Sequence, residues 1–361
     1  MIHISAMKQL FHFIPALVAV LLFTGCSGSA PTTESRLRLG TSVTVTMHDS
    51  VPRGTFASIW NRLEDIESKM SINNDRWQNT ELMEVNLSAG EQPVAVSDET
   101  LYVLQAGLKI GELSDGAFDV TIAPLVLLWM TTSDQPQIPS EAAVQEATRL
   151  VDYSKVEIHD NAVFLPKPGM GIDLGGVAKG YAAAEAARLI KAAGINHAIL
   201  DFGGDVIAVG TRPDGDPWRI GLQNPQQRRG SLMGVVEVTD TSIVTSGVYE
   251  RYFMQDGVRY HHIFDPATGY PAWNELVSVT VVARDATVAD ALSTAAFVMG
   301  LEDGLALIEQ LPETEGIFID EQNMVFVSTG LQERFRLLSD DFTIASSQNE
   351  THDDTAGVTF P

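Results

Sequence analysis

The chain has 361 residues, 45% of them hydrophobic and 7% aromatic, so it is long enough to bury a large core without disulfides or structural metals. Its 47 acidic residues against 23 basic residues give a formal net charge of −24, which argues against a nucleic-acid-binding surface, because phosphate binding needs clustered Lys and Arg. The single cysteine, Cys26, excludes an intrachain disulfide and a cysteine-based zinc site.

The first 25 residues have the pattern of a secretory signal peptide. Lys8 supplies a positive charge, and the apolar run Phe11–Phe23 is too short to cross a bilayer comfortably. Small residues directly before Cys26 resemble a bacterial lipoprotein signal, which predicts that Cys26 is lipidated and becomes the mature N-terminus. The alternative is an ordinary secretory signal in which Cys26 is incidental. Both predict an extracytoplasmic protein, and residues 26–36 have the Ser, Thr, Gly and Pro content of a linker.

The folded part is predicted to cover residues 37–338. Apolar residues at three- and four-residue spacing predict helices, and alternation of apolar and polar residues predicts strands. The predicted helices are Thr55–Met70, Thr100–Leu113, Ala142–Leu150, Gly180–Ala193, Ala286–Met299 and Leu301–Gln310. The predicted strands are Ser42–Met47, His197–Leu200, Val206–Val209, Trp218–Leu222, Gly234–Val238, Ile243–Thr245, Val277–Val282, Val325–Val327 and Phe335–Leu337.

These elements do not follow a strict βαβα order, which favours an α+β fold in a single domain with possible sub-lobes. The last segment, residues 339–361, is acidic and contains no Lys or Arg. Such a composition cannot bury enough apolar surface to fold alone, so this tail is predicted to be disordered.

Four clusters rich in glycine, aspartate and aromatic residues are the candidate chemical sites, since common nucleotide-binding and hydrolase signatures are absent from the sequence. They are residues 114–121 (SDGAFDVT), 172–181 (IDLGGVAKGY), 201–205 (DFGGD) and the two stretches 245–253 and 260–271. The second cluster is typical of a strand that passes through glycines into a helix, which brings backbone N–H groups and Lys179 towards anionic oxygens. Taken singly, each also has an ordinary structural interpretation; Asp265-Pro266, for example, is typical of a type I turn.

Taken together and in this order, the segments resemble those of the ApbE-type FAD:protein FMN transferases. The resemblance extends from Leu37 to Leu337 and rests on the segments D-G-A-F-D, I-D-L-G-G-x-A-K-G-Y, L-x-F-G-G-D, T-S-G-x-Y, H-x-x-D-P-x-T-G and A-D-A-L-x-T-A. It implies a single α+β domain with a flavin cleft between sub-lobes. It also implies transfer of FMN from FAD to a threonine hydroxyl of an acceptor protein, forming a phosphodiester and releasing AMP.

The resemblance implies roles for particular residues. Mg²⁺ is expected on Asp290, Thr294 and the carbonyl of Gly176, and a spacing of four residues lets both side chains of the helix reach one ion. His262 is implied as the base that accepts the proton of the acceptor hydroxyl. The implied flavin contacts are Leu39, Asn73, Ala117, Phe118, Asp119, Asp173, Lys179 and Phe264.

Position 73 departs from many relatives, which have an aromatic residue where this chain has Asn73. Two interpretations follow: Trp77 replaces the missing stacking partner, or Asn73 makes a polar contact with the flavin. Leu39 is a milder departure, because many relatives have Met there.

The acceptors implied by the family are subunits of Na⁺-translocating NADH:quinone reductase or Rnf-type complexes, or other secreted flavoproteins. The implied location is a bacterial membrane, with the protein lipid-anchored and facing the periplasm. Two alternatives stay open: Mg²⁺-dependent hydrolysis of FAD to FMN and AMP, with water in place of threonine, and a non-catalytic FAD-binding lipoprotein. Hydrolysis uses the same residues as transfer, whereas the metal-site residues and His262 argue against mere storage.

Overall fold

A computed structural model describes residues 30–72, 76–131, 133 and 136–345 of the chain. The predicted signal peptide 1–25, Cys26, Asn73 and residues 346–361 of the predicted tail lie outside the described residues. Within the described part, no helix has both the length and the apolar character needed to cross a membrane.

Helices and strands are interspersed along the chain. The strands in chain order are β1 (Thr32–Arg38), β2 (Thr41–Met47), β3 (Val94–Ala95), β4 (Glu157–His159), β5 (Ala162–Phe164), β6 (His197–Phe202), β7 (Asp205–Gly210), β8 (Trp218–Gln223), β9 (Leu232–Val238), β10 (Thr241–Gly247), β11 (Tyr252–Gln255), β12 (Val258–His261), β13 (Leu276–Ala283), β14 (Thr314–Asp320), β15 (Met324–Val327), β16 (Phe335–Leu337) and β17 (Thr343–Ile344). The helices are α1 (Thr55–Met70), α2 (Glu81–Leu87), α3 (Asp98–Leu113), α4 (Ala123–Trp129), α5 (Glu141–Thr148), α6 (Ala178–Ala192), α7 (Ala286–Met299) and α8 (Leu301–Gln310).

The centre of the fold is a nine-stranded sheet in the order β1-β2-β6-β7-β10-β13-β14-β15-β17. Its neighbouring strands are antiparallel except for the pair β15 and β17. One face packs against a layer that includes α1, α3, α6 and α7, and the other face packs against the small sheet β16-β9-β8. The architecture is therefore α+β in one domain, as predicted.

Burial on both faces explains the apolar character of the central strands. In β13, Val279 and Val281 belong to the core under the helices, whereas Val282 belongs to the core under the small sheet. A strand that packs on both sides reads as a nearly continuous apolar run. The sequence predicted this strand, and it predicted α1, α7 and α8 with the bounds that the structure has.

The folded part extends beyond both of its predicted boundaries, residues 37 and 338. Residues 32–36, assigned to the linker, belong to β1, which pairs with β2 along its whole length. An edge strand that is mostly exposed on both faces shows no apolar alternation, so the pattern did not predict it. At the other end the chain stays folded past residue 339, because Phe342 is 4% exposed in the core and β17 pairs with β15.

Candidate active site

Helix α7 carries one buried carboxylate in an otherwise largely apolar environment. Asp290 is 4% exposed, and a buried charge is costly unless it is paired and hydrogen-bonded. Its Oδ2 accepts a hydrogen bond from the backbone N–H of Gly180 at 2.7 Å, and its Oδ1 accepts one from Lys179 Nζ at 3.1 Å. The first turn of α6 therefore stabilises the carboxylate of α7.

Gly180 makes this contact between α6 and α7 possible. A Cβ atom at this position would lie 2.1 Å from the carbonyl oxygen of Ala286 and 2.7 Å from Cβ of Asp290. Only glycine permits such a close approach of a helix to its neighbour. The glycine in the K-G-Y part of the segment thus has a packing role that brings its own N–H onto Asp290.

A second carboxylate shares the ammonium group of Lys179. Asp205 begins β7 and is 8% exposed; its Oδ2 accepts a hydrogen bond from Lys179 Nζ. Its other oxygen, Oδ1, accepts a hydrogen bond from the backbone N–H of Thr245 in β10 at 3.0 Å. Lys179 is therefore held between two carboxylates, each anchored by a backbone N–H group.

The charges of this network set its pKa directions. Burial lowers the pKa of Lys179, but the charges of Asp205 and Asp290 outweigh this effect and raise it above its ordinary value. Burial raises the pKa of Asp290, and the charge of Asp205 adds to this while Lys179 opposes it. The lysine consequently stays protonated at neutral pH.

Ser246 and Gly176 lie close to Thr294, one turn after Asp290 in α7. Thr294 Oγ1 is 3.2 Å from Ser246 Oγ in β10, and a Cβ atom at Gly176 would lie 3.8 Å from Thr294 Oγ1. The predicted metal-binding residues thus lie around the same part of α7. Among the described residues there is no group of three His, Cys, Asp or Glu side chains that could hold a metal. One carboxylate with hydroxyl and carbonyl oxygens nevertheless fits Mg²⁺, which prefers oxygen ligands and retains water.

His262 follows the last residue of β12 and is held by the main chain. Its Nδ1 lies 3.2 Å from the carbonyl oxygen of Arg251, which also accepts the backbone N–H of His262 at 3.1 Å. Burial, together with the positive charge of Arg251, lowers the pKa of His262 to about 3. Because a carbonyl oxygen only accepts, the proton belongs on Nδ1, and Nε2 keeps its lone pair. The side chain is a neutral base at pH 7.

The neighbouring His261 has a structural role. It is 2% exposed, its Nε2 bonds to the carbonyl oxygen of Ala272 at 3.2 Å, and its Nδ1 accepts from the backbone N–H of Ile263 at 3.3 Å. Burial lowers its pKa to about 4. Both ring nitrogens are therefore used inside the fold, unlike those of His262.

An aromatic cluster supports the segment after His262. The ring of Phe264 lies 5.9 Å from that of Trp129, and Trp129 Nε1 donates to the carbonyl oxygen of Gly269 at 2.9 Å. The turn 265–269 is closed by a hydrogen bond from Gly269 N to Asp265 O at 2.8 Å. This turn is one residue longer than the predicted type I turn. Asp265 also accepts from Thr268 Oγ1 at 2.9 Å, so the turn is rigid.

Arg251 contacts both the turn after Leu39 and the segment that carries His262. Its Nη2 donates to the carbonyl oxygen of Gly40 at 3.4 Å, which brings the turn after Leu39 next to the histidine segment. Burial raises the pKa of Asp173, and the positive charge of Arg251 opposes this rise. The same charge adds to the effect of burial in lowering the pKa of His262. The charge of Lys179 lowers the pKa of His262 as well. The candidate base is therefore within electrostatic range of the charged network.

Comparisons with known proteins found relatives that match most of the chain. The profile of the ApbE family matches residues 39–318. A FAD:protein FMN transferase of Treponema pallidum is 35% identical over 356 residues, covering 92% of this chain and 97% of that protein. The chain belongs to the ApbE family. A FAD:protein FMN transferase of Vibrio cholerae is 33% identical, over 83% of this chain and 92% of that protein.

Solved structures of the ApbE family have the same fold. The flavin transferase ApbE from Vibrio cholerae superposes with a TM-score of 0.76 at 30% identity, covering 84% of this chain and 99% of that one. The ApbE protein of Thermotoga maritima gives a TM-score of 0.76 at 34% identity, covering 83% of this chain and 98% of that one. The predicted family and fold class are confirmed.

Some residues predicted to contact flavin also have structural partners. Asp119 Oδ1 accepts from the N–H and hydroxyl of Thr121 at 2.7 and 2.6 Å, and its Oδ2 accepts from Tyr153 N at 2.9 Å. These bonds fix the loop that carries Ala117 and Phe118. A Cβ atom at Gly176 would lie 3.0 Å from the ring of Phe118, so this loop borders the metal-binding residues predicted from the ApbE family.

The remaining predicted contacts lie outside the helices and strands and also have partners within the protein. Asp173 Oδ1 accepts from the N–H of Gly175 at 2.7 Å, which shapes the glycine turn before α6. Leu39 adopts a left-handed conformation with φ 52° and donates its N–H to Glu67 Oε1 at 3.1 Å. The ring of Trp77 lies 5.0 Å from the guanidinium of Arg76. Flavin contact by each of these residues stays a prediction.

Sequence reasoning missed the roles of Asp205, Ser246 and Arg251. All three lie inside the motif segments, at the end of D-F-G-G-D and within T-S-G-V-Y-E-R. Each acts through a partner that is distant in sequence, such as Lys179 for Asp205. The motifs include these positions, but only the fold shows which groups their side chains contact.

Proposed function

We propose that this protein transfers FMN from FAD to a threonine hydroxyl of an acceptor protein, forming a phosphodiester and releasing AMP. The observation that carries the proposal is a neutral His262 within electrostatic range of Lys179 and the buried carboxylates. Transfer of a phosphoryl group to a hydroxyl needs a base for the hydroxyl proton and positive charge for the phosphate oxygens. Membership of a family whose relatives are named FAD:protein FMN transferases supports this reaction.

Each step of the proposed transfer is assigned to a group of this chain. His262 Nε2 accepts the proton of the threonine hydroxyl, while the bond from Nδ1 to Arg251 O keeps the ring oriented. The threonine oxygen forms a bond to the phosphorus of the FMN half, the pyrophosphate P–O bond breaks, and AMP leaves with the electron pair. Lys179 supplies the positive charge that stabilises the developing negative charge on the phosphate oxygens.

Mg²⁺ is the proposed cofactor, held by Asp290, Thr294 and the carbonyl of Gly176. The donor set is all oxygen, and Asp290 is positioned by its bond to Gly180 N, which suits a hard divalent cation. When bound, the ion would neutralise charge on the pyrophosphate oxygens. Leu39, Asn73, Ala117, Phe118, Asp119, Asp173 and Phe264 are the proposed flavin contacts.

An assay with FAD, Mg²⁺ and an acceptor domain tests the proposal. Flavin fluorescence that stays with the denatured acceptor band supports transfer. Free FMN and AMP with an unlabelled acceptor would support the alternative, hydrolysis of FAD by the same residues. FAD binding without any Mg²⁺-dependent AMP release would instead support flavin storage.

The proposed location is the periplasmic face of a bacterial membrane, with lipid on Cys26. The proposed acceptors are subunits of Na⁺-translocating NADH:quinone reductase or Rnf-type complexes. Replacing Cys26 with Ala in the full chain is expected to move the protein from the membrane fraction to the soluble fraction. Continued membrane association of C26A would contradict the lipid anchor.

A further inference from the structure

Asp205 is a buried carboxylate that has no part in the proposed reaction. We propose that Asp205 is a positioning residue, which keeps the ammonium group of Lys179 from occupying Asp290 when a divalent cation binds there. The inference rests on the proposed function, because it assumes that Asp290 is a cation ligand.

The two carboxylates are built alike around Lys179. Asp205 uses Oδ1 to accept from Thr245 N at 3.0 Å and Oδ2 to accept from Lys179 Nζ. Asp290 uses Oδ2 to accept from Gly180 N at 2.7 Å and Oδ1 to accept from Lys179 Nζ at 3.1 Å. Each carboxylate thus has one oxygen fixed by the backbone and one oxygen directed at the same ammonium group.

This arrangement sets up a competition at Asp290 Oδ1. A divalent cation on this oxygen meets the ammonium of Lys179, and two positive charges at one oxygen repel each other. With Asp205 in place, Lys179 can give up its bond to Asp290 and still keep a charge-assisted hydrogen bond inside the protein. Without the charge of Asp205, Asp290 is the one carboxylate among the described residues that still forms an ion pair with the lysine, and the ammonium competes with the cation.

The position of Asp205 favours this role over a purely structural one. The bond from Thr245 N ties β7 to β10, and the amide oxygen of an asparagine can accept it equally well. The bond to Lys179, by contrast, depends on the negative charge. Asp205→Asn therefore separates the structural bond from the charge that positions the lysine.

The first measurement is the affinity of the purified protein for Mn²⁺, monitored by electron paramagnetic resonance with and without FAD. The second is the Mg²⁺ concentration that gives half-maximal AMP release. Loss of one charge-assisted hydrogen bond predicts that D205N weakens Mn²⁺ binding about tenfold. Lys179→Met removes the competitor, so we expect K179M to bind Mn²⁺ at least as tightly as the wild type. The double variant D205N/K179M is expected to recover the affinity that D205N loses.

Asp201→Asn is the matched control. Asp201 lies near the end of β6, and its Oδ1 accepts from Gly204 N at 2.7 Å in the turn before Asp205. The control removes one negative charge from the same β6–β7 hairpin without removing the carboxylate that holds Lys179. We expect D201N to bind Mn²⁺ like the wild type, and an equal loss of affinity in D201N and D205N would mean a general charge effect.

Several outcomes would overturn the inference. An unchanged Mn²⁺ affinity in D205N, or a double variant that stays as weak as D205N, would show that Asp205 does not act through Lys179. Weaker binding in K179M would also contradict it, and this arm remains informative if D205N does not fold. Failure of the proposed metal site looks different: the wild type itself would bind no Mn²⁺ and would release AMP independently of Mg²⁺.

Discussion

Two regions of the molecule supply the proposed chemistry, and they are built in different ways. The charged network of Lys179, Asp205 and Asp290 lies where α6, α7 and the central sheet meet, and backbone N–H groups fix both carboxylates. His262, in contrast, follows a two-stranded hairpin, β11 and β12, that is separate from the nine-stranded sheet. This hairpin exposes large side chains, including Met254 at 55%.

The difference assigns separate tasks to the two regions. Buried charges need rigid partners, because an unpaired charge in a low-dielectric interior is costly. A base that meets an incoming protein must instead keep one atom open to it, and His262 is half-buried with Nδ1 held by the backbone. We therefore expect changes in the network to affect cation binding and packing, and changes at the histidine to affect proton transfer alone.

The largest expected effect is at Asp290. Asp290→Ala should lower the rate of AMP release by at least about 10³-fold, because it removes the proposed carboxylate ligand of Mg²⁺. FAD binding, followed by the change in flavin fluorescence on titration, should remain measurable. A variant that keeps a third of the wild-type rate would exclude Asp290 as an essential ligand.

The next effect separates the two adjacent histidines. His262→Ala should slow FMN transfer by about 10²-fold or more, because the hydroxyl loses its base, with little change in the free energy of unfolding. His261→Gln should instead lower the free energy of unfolding by about 1–3 kcal/mol, because buried hydrogen bonds are lost. Urea denaturation and single-turnover transfer rates measure the two quantities. The reverse pattern would mean that the roles are exchanged.

The contact between α6 and α7 can be tested through its glycine. Gly180→Ala places a Cβ 2.1 Å from the carbonyl oxygen of Ala286, so we expect a loss of about 3 kcal/mol in the free energy of unfolding. Gly194→Ala is the control, since a Cβ there meets nothing within 4 Å and only its φ of 78° is strained; about 1 kcal/mol is expected. Equal losses would show that α6 and α7 can separate freely.

The smallest effect, taken per pH unit, is a pH dependence of stability. His261 has a pKa of about 4 in the folded protein against an ordinary value of 6.5, so the unfolded chain binds a proton first as the pH falls. Its contribution to stability is complete above pH 6.5 and is lost between about pH 6.5 and 4, by up to about 1.4 kcal/mol per pH unit. Urea denaturation across this range should give a shallower slope for H261Q than for the wild type. Identical slopes would contradict the lowered pKa.

The sequence predicted the helical layer better than the hairpin that carries His262. Helix α7 has clear end signals: Asp285 accepts from Thr287 N at 2.8 Å, and Gly300 ends the helix. The hairpin was missed although Asp256-Gly257 has the positive φ angles, 52° and 81°, of a tight hairpin turn. Its strands alternate poorly, because Phe253 is the single buried residue of β11.

The candidate site residues could be predicted from the sequence where they belong to a motif. Segment order indicated the family and, through it, the proposed metal-binding residues and His262. The fold places Gly176 close to Thr294, which lies one turn after Asp290 in α7. The partnership of Asp205 with Lys179 could not be predicted, because it depends on the packing of β7 against the start of α6. A motif gives residue types at a spacing, whereas an ion pair between distant segments depends on tertiary structure.

The most direct test of the central claim is a count of products. The wild-type protein is incubated with FAD, Mg²⁺ and an acceptor domain, and the AMP released is compared with the FMN bound covalently to an acceptor threonine by mass spectrometry. Transfer predicts equal amounts of AMP and covalent FMN, and loss of the label when that threonine is replaced by valine. AMP in the same yield with free FMN and an unmodified acceptor would contradict the account.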